Sequence, residues 1–221
     1  MKKILIVVLV IIVIILGIVF ALRAPSAPSQ SASDAAGQEQ TTASSTVYKI
    51  VPAQSLVTFS INEILRNKPK TAIGTTSEIG GEISVIPSGL TIGTIAVNAR
   101  TFKTDSAGRD GAIARFILKS EDAANEFMYF KPTSVQMSSS TTATSTLTST
   151  ATVTGDLTIS GVTKPANFLV SWMASGNTIT GTATTTLKRS DFNLNIPNVP
   201  FVANVDDQFT VVSKITAEKV Q

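Results

Sequence analysis

The chain has 221 residues, a formal net charge of +3, 43% hydrophobic and only 15% charged residues, and neither Cys nor His. That composition excludes disulfides, thiol nucleophiles, a lipidated N-terminal Cys, His-based triads, His metal sites and histidine proton shuttles. Three of the basic residues, Lys2, Lys3 and Arg23, flank an N-terminal apolar run, so the rest is near neutral and the pI of 9.2 is no sign of nucleic-acid binding.

Residues 4–22 are uncharged and almost all aliphatic. As a helix at ~1.5 Å per residue they span about 28 Å, close to the roughly 30 Å hydrocarbon core of a bilayer. The competing reading is a cleaved signal peptide, whose apolar region is usually about 7–15 residues. Residues 1–23 are therefore read as a transmembrane anchor, with the signal peptide as alternative. The basic N-terminal flank predicts a single-pass cell-membrane protein, N-terminus cytoplasmic and the remainder on the periplasmic or extracellular side. Residues 24–46 are rich in Ser, Thr, Ala, Gln and Pro with no aromatic and no aliphatic larger than Ala. They are expected to be a disordered linker, because so little apolar surface cannot offset the entropy of ordering.

From Val47 to Gln221 the pattern is that of strands. Val57, Phe59 and Ile61 alternate with Thr58, Ser60 and Asn62, and Val47–Ile50 leads in across Pro52. Thr71–Ile86 is extended but interrupted at Gly80-Gly81, and Leu90–Ala99 follows a Pro87-Ser88-Gly89 turn. Ala112, Ile113, Phe116 and Ile117 recur at helical spacing, predicting one short helix over 110–119. Tyr129–Met137 is again extended.

Leu147–Ser160 alternates most clearly: Leu147, Ser149, Ala151, Val153, Gly155, Leu157 and Ile159 against a row of Thr, Asp and Ser. Such a strand runs to roughly 46 Å at ~3.3 Å per residue and must bend, and Gly155 is where a bend is expected. Gly161 and Lys164-Pro165 predict a turn. Ala166–Ala174, a Ser175-Gly176-Asn177 hairpin turn, Thr178–Lys188 and Gln208–Lys219 complete the set. These elements predict an all-β, eight-stranded antiparallel barrel with one short inserted helix, a two-sheet sandwich being the alternative.

The inward positions Ser149, Ala151, Gly155, Gly181, Ala183 and Thr185 are small, so the interior is either filled from the opposite wall or partly hollow. No nucleophile elbow, phosphate loop, paired-carboxylate signal or metal-ligand spacing is present, so neither a catalytic nor a metal site is expected. Asp206-Asp207 lacks the regular spacing of calcium ligands and reads as a turn. Arg109, Asp110 and Arg115 either cap a pocket mouth or form a solvated helix start.

Tyr48-Lys49-Ile50, Pro52–Ser55 and Val57–Ile61 resemble the opening of YceI-like domains. Gly155–Ile159 with Gly161–Pro165 resembles that family's most recognisable strand and turn, and Thr101 to Asp110 and Arg189–Phe192 resemble two further landmarks. The resemblance covers nearly all of residues 47–221. It implies an exported, lipocalin-like barrel that holds a long polyisoprenoid-type lipid, with no catalytic residue and no cofactor beyond that lipid. Many family members carry His where this chain has Gln54 and Gly111-Ala112. Under this reading Phe59, Ile61, Phe116, Phe168 and Trp172 are wall residues and Arg109 and Arg115 lie at the mouth. The expected function is a membrane-tethered carrier of an apolar lipid, for transport, storage or stress protection. The alternative is a surface-displayed interaction module with a solid core and a Thr-rich binding face.

Overall fold

Alternation of apolar with hydroxyl side chains dominates the second half of the chain, and the backbone follows it into long antiparallel strands. In a computed structural model, residues 27–37, 45–86, 89–143, 146–198 and 202–220 are described. The strands are β1 (Thr46–Ile50), β2 (Leu56–Leu65), β3 (Lys68–Thr76), β4 (Ile79–Gly80), β5 (Glu82–Ile86), β6 (Gly89–Ile92), β7 (Ile95–Asn98), β8 (Phe127–Ala143), β9 (Thr146–Ile159), β10 (Val162–Ser175), β11 (Thr178–Lys188) and β12 (Val202–Lys219). Two short α-helices, α1 (Ala32–Ala36) and α2 (Ala107–Ala112), accompany them, and α2 runs on into a π-helical turn at Ile113–Ile117.

Among the described residues twelve strands belong to one antiparallel sheet curled into a barrel; ten follow the order β4-β7-β8-β9-β10-β11-β12-β1-β5-β6, and β2 and β3 branch from it, β2 paired with β12 and β3 with β2. β12 pairs with β11 along one edge and with β2 and then β1 along the other. The barrel closes through the continuous chain from β4, which pairs with β7, to β5, which pairs with β1. The expectation of eight strands is thus corrected to twelve. Breaks at Pro52, Ser77-Glu78, Gly81 and Gly93-Thr94 divide stretches expected as three strands into seven. Gly81 has φ +146, and a Cβ there would meet the Ile95 side chain at 2.7 Å.

The β9–β10 turn is the pair Ser160-Gly161, both with positive φ (49° and 75°). β10 therefore begins at Val162, and Lys164-Pro165 lies inside it rather than in the turn. Pro165 is tolerated because the pairing of β10 with β11 starts only at Leu169. The predicted parity of β9 holds: Ala151, Val153, Leu157 and Ile159 are buried, and Thr150 and Asp156 are exposed. The sheet is irregular at Gly155 as expected: it stands opposite Pro132, where β8 shifts register between Pro132 and Ser134, and a second shift lies between Met137 and Ser139. A Cβ at Gly155 would overlap the Lys131 carbonyl and strike the Phe130 ring at 2.8 Å, and that ring packs edge-on to Phe168 with centroids 4.7 Å apart.

Among the described residues no helix is long and apolar enough to cross a membrane, and the expected span at 4–22 lies outside them. The expected disorder of 24–46 is corrected for residues 27–37. Ser31 caps α1, accepting from the Asp34 amide at 3.2 Å, and Ala32 is 1% exposed against Ala96 and Phe127. Gly80 makes the seat, since a Cβ there would overlap the backbone of Ala32 and Ser33. Ser29 adds a polar pin, donating from both its amide and its hydroxyl to the Glu126 carboxylate at 2.5 Å each. Composition was a poor guide because the barrel supplies the buried surface that the segment lacks.

Burial pushes the Glu126 carboxyl up, but donation from Ser29 and Asn98 and the charge of Arg100 outweigh it, and its pKa lies below the usual value. A depressed carboxylate pKa stabilises the docked state above the ordinary Glu value of about 4.3, and that contribution is lost as pH falls below it. The protection factor of the Ala35 amide, bonded to the Ser31 carbonyl at 3.1 Å, should be constant near neutral pH and fall below that value once the intrinsic pH dependence of exchange is divided out. Glu126→Gln should remove the pH dependence. In the barrel wall, Gly155→Val should lower stability by about 1–3 kcal/mol in urea unfolding, with Thr154→Ala close to wild type. An unaffected Gly155→Val would show that Phe130 does not depend on that gap.

Candidate ligand cavity

The interior-facing residues do not fill the barrel. A cavity of about 530 Å³ runs along it, within the range of about 300–1,000 Å³ usual for small-molecule sites. One end is narrowed by Trp172 and Ile179, near the β10–β11 turn. The other is covered by α2 and the π-helical turn, with Ile113, Ile117 and Leu118 in the lining. Ser160, in the β9–β10 turn, holds this cap by donating its hydroxyl to the Leu118 carbonyl at 2.7 Å. The Arg189–Pro197 loop completes the same end, where Leu194, Ile196 and Pro197 contribute.

The long walls are aliphatic and aromatic, and the charged lining groups gather at the capped end. Glu63 continues the inward face of β2 after Val57, Phe59 and Ile61, and is buried. Its carboxylate accepts from the Arg109 guanidinium at 2.7 Å, and Arg109 also pairs with Asp105. Lys70 reaches Asp105 at 2.5 Å, so β3 is joined to α2 by side chains; apart from a bridge at Thr75–Lys103, no backbone ladder forms there among the described residues. Donation from Lys70, aided by the charge of Arg109, holds the Asp105 carboxyl below its usual pKa. Asp110 faces the chain rather than the cavity, accepting from the Thr104 amide and hydroxyl at 2.8 Å each.

Arg189 lines the cavity but is committed to structure. It donates to the carbonyls of Leu194, Val205 and Asp206 at 2.8–3.1 Å, while Asp207 accepts from the Ser190 amide and hydroxyl. Those Ser190 bonds hold Asp207 below its usual pKa. Asn193 follows in the left-handed region at φ 54°. No group of potential metal ligands exists among the described residues.

Of the residues singled out in the sequence, Phe59, Ile61, Phe168 and Trp172 line the cavity, and Arg109 lies at its capped end. Arg115 and Phe116 are placed elsewhere. The Arg115 side chain is buried beside the loop after the cap and donates to Glu121 at 2.9 Å, and Phe116 is 43% exposed. The reason is the π-helical turn, in which the Leu118 amide bonds the Ile113 carbonyl at 2.8 Å. The wider turn brings Ile117 and Leu118, rather than Phe116, under Ile113. Glu63 and the 194–205 lining were missed. Glu63 was visible as a charge on an apolar parity, whereas the loop carries no periodic signal.

The small inward positions differ. Phe130 covers Gly155, whereas Gly181 lines the cavity beside Trp172, whose Cβ a side chain there would press on at 3.2 Å. Trp172 stands opposite Ser149 in the β9–β10 register, and the Trp172 Nε1 and Ser149 Oγ atoms are buried without a hydrogen-bond partner among the described residues.

Residues 48–217 match the model of the YceI-like domain. The chain belongs to the YceI-like family. Among solved structures, it is similar to BcnA of Burkholderia cenocepacia, at 16% identity and a TM-score of 0.58, covering 76% of this chain and 98% of that one. It is also similar to a polyisoprenoid-binding domain from Saccharophagus degradans implicated in plant cell wall breakdown, at 12% identity and a TM-score of 0.60, covering 78% and 98%. At these identities the structural likeness concerns the fold. No curated protein matches the chain.

The Glu63–Arg109 pair ties the cap to the wall, and removing one partner leaves a largely buried charge. Arg109→Ala should cost about 1–3 kcal/mol in urea unfolding, and Glu63→Leu/Arg109→Leu together should recover most of it. Equal losses in the two variants would show that the pair does not hold the cap.

Proposed function

We propose that this YceI-like chain binds a long, apolar, polyisoprenoid-type lipid in its barrel, as a membrane-tethered carrier outside the cytoplasm. The observation that carries this reading is the cavity: apolar along its length, with its charged lining groups, Glu63, Arg109 and Arg189, collected at one end. A chain-like ligand with one polar head suits that asymmetry. Each methylene moved from water into such a lining contributes about 0.8 kcal/mol, so a tail of many methylenes needs few polar contacts even after the cost of ordering it. The family and the S. degradans neighbour, itself a polyisoprenoid-binding domain, support the ligand class. Tethering rests on the apolar length of residues 4–22. Trp172, Phe168, Phe59 and Ile61 act as wall, and Arg109 with Glu63 flanks the head. The role is to bind, with no chemical step.

Organic extraction of the purified full chain, followed by mass spectrometry, should release an apolar lipid in near-stoichiometric amount. Val170→Trp narrows the cavity from a half-buried lining position and should reduce the bound lipid at least several-fold while circular dichroism stays that of wild type. A wild-type protein without lipid that also takes up no polyprenol from vesicles would sink the proposal.

A further inference from the structure

The segment 27–37 is attached to the barrel at two independent places, and both lie toward the capped end. Ala27 is the first described residue. Its carbonyl accepts from Arg100 Nη1 at 3.0 Å. The same guanidinium donates through Nε to the Ser120 carbonyl at 2.5 Å and through Nη2 to the Glu121 carbonyl at 3.0 Å. One planar group thus places Ala27 beside the loop that leaves the cap. Two residues on, Ser29 is pinned to Glu126, which is 1% exposed and also receives Asn98 at 3.2 Å and Arg100 at 3.1 Å. Ala32 then fills the space over Gly80. This is a fitted seat.

Only Arg23, Ala24, Pro25 and Ser26 separate Leu22 from Ala27. Five Cα-to-Cα steps reach roughly 18 Å when fully extended. The barrel is longer than that: β10 has 14 residues, and at ~3.3 Å each with a tilt of about 40° it rises roughly 35 Å. We infer that the docked N-terminal strap holds the barrel with its capped end toward the bilayer, so that an apolar ligand passes between membrane and cavity at that end. The inference rests on the reading of residues 4–22 as a membrane span. The cap end carries exposed charges of both signs, Lys103 and Lys119 against Asp105 and Asp122, so the strap rather than surface charge sets the orientation. The charged groups of the cavity lie at this same end, which keeps a ligand head beside the interface while its tail runs toward Trp172.

The chain contains no Cys, so single labels are placed cleanly. Exposed Ala124, after the cap, and exposed Asn177, in the far β10–β11 turn, are changed to Cys one at a time in the full chain and labelled with a fluorescent donor. The protein is reconstituted into phosphatidylcholine vesicles carrying an acceptor-labelled lipid. Energy transfer should be several-fold stronger from Ala124→Cys than from Asn177→Cys. A flexible insertion of about 20 Gly/Ser residues between Ser26 and Ala27 reaches roughly 25 Å as a coil; it should erase the difference and slow pick-up of a fluorescent polyprenol several-fold. Equal transfer from both positions in a chain that floats with the vesicles overturns the orientation and leaves the span reading standing. A chain that does not float overturns the span reading and the orientation with it. Lipid extracted from the same preparation reports on the cavity separately.

Discussion

The structure depends on β12. Its 18 residues are shared among three neighbours, with β11 on one edge and β2 and β1 in succession on the other. An open sheet of this composition would leave long edges, and their unpaired N–H and C=O groups would seek other partners. Pairing on both sides of β12 brings the end of the chain against its beginning and turns a row of hairpins into a barrel. Everything inside the wall follows from that closure, because only a closed sheet gives the apolar parities of β2, β9, β10 and β11 a common interior.

Among the described residues β3 and β6 are each paired on one side only, and charged side chains gather at β3. Beside β3 the wall is made by side chains and a helix rather than by a ladder. Glu63, Lys70, Asp105 and Arg109 form the joint, and two of them, Glu63 and Arg109, also line the capped end of the cavity. A second charged set, Asn98, Arg100 and Glu126, serves a different purpose: it receives the backbone of residues 27–29 and joins it to the loop after the cap. The two sets divide the work. One seals the cap against the barrel wall, the other fixes where the chain arrives.

Much of the wall was legible because β-structure writes its parity into the sequence. Phe59, Ile61, Phe168 and Trp172 could be assigned to the interior from alternation alone. Arg115 and Phe116 were misplaced because helical spacing was assumed where the backbone takes a π-helical turn, a one-residue difference that no composition signal reveals. Counting eight strands failed for a related reason. Bends at Pro52 and Gly81 were visible, but whether a bend splits a strand depends on what each half pairs with.

The sequence by itself determined the all-β class, the inward faces, the lack of Cys and His chemistry, and the family. Each is a local property, carried by residue type and period. Only the tertiary structure decided whether small inward positions meant space. At Gly155 they did not, because Lys131 and Phe130 close the gap, whereas Gly181 and Ala183 line the hollow. The tertiary structure also decided that a Ser- and Ala-rich stretch with no apolar surface of its own is held fast, since the groove over Gly80 and the carboxylate of Glu126 belong to residues some 50 to 100 positions away. Volume and docking depend on what faces a residue across space, and a sequence records only what stands beside it in the chain.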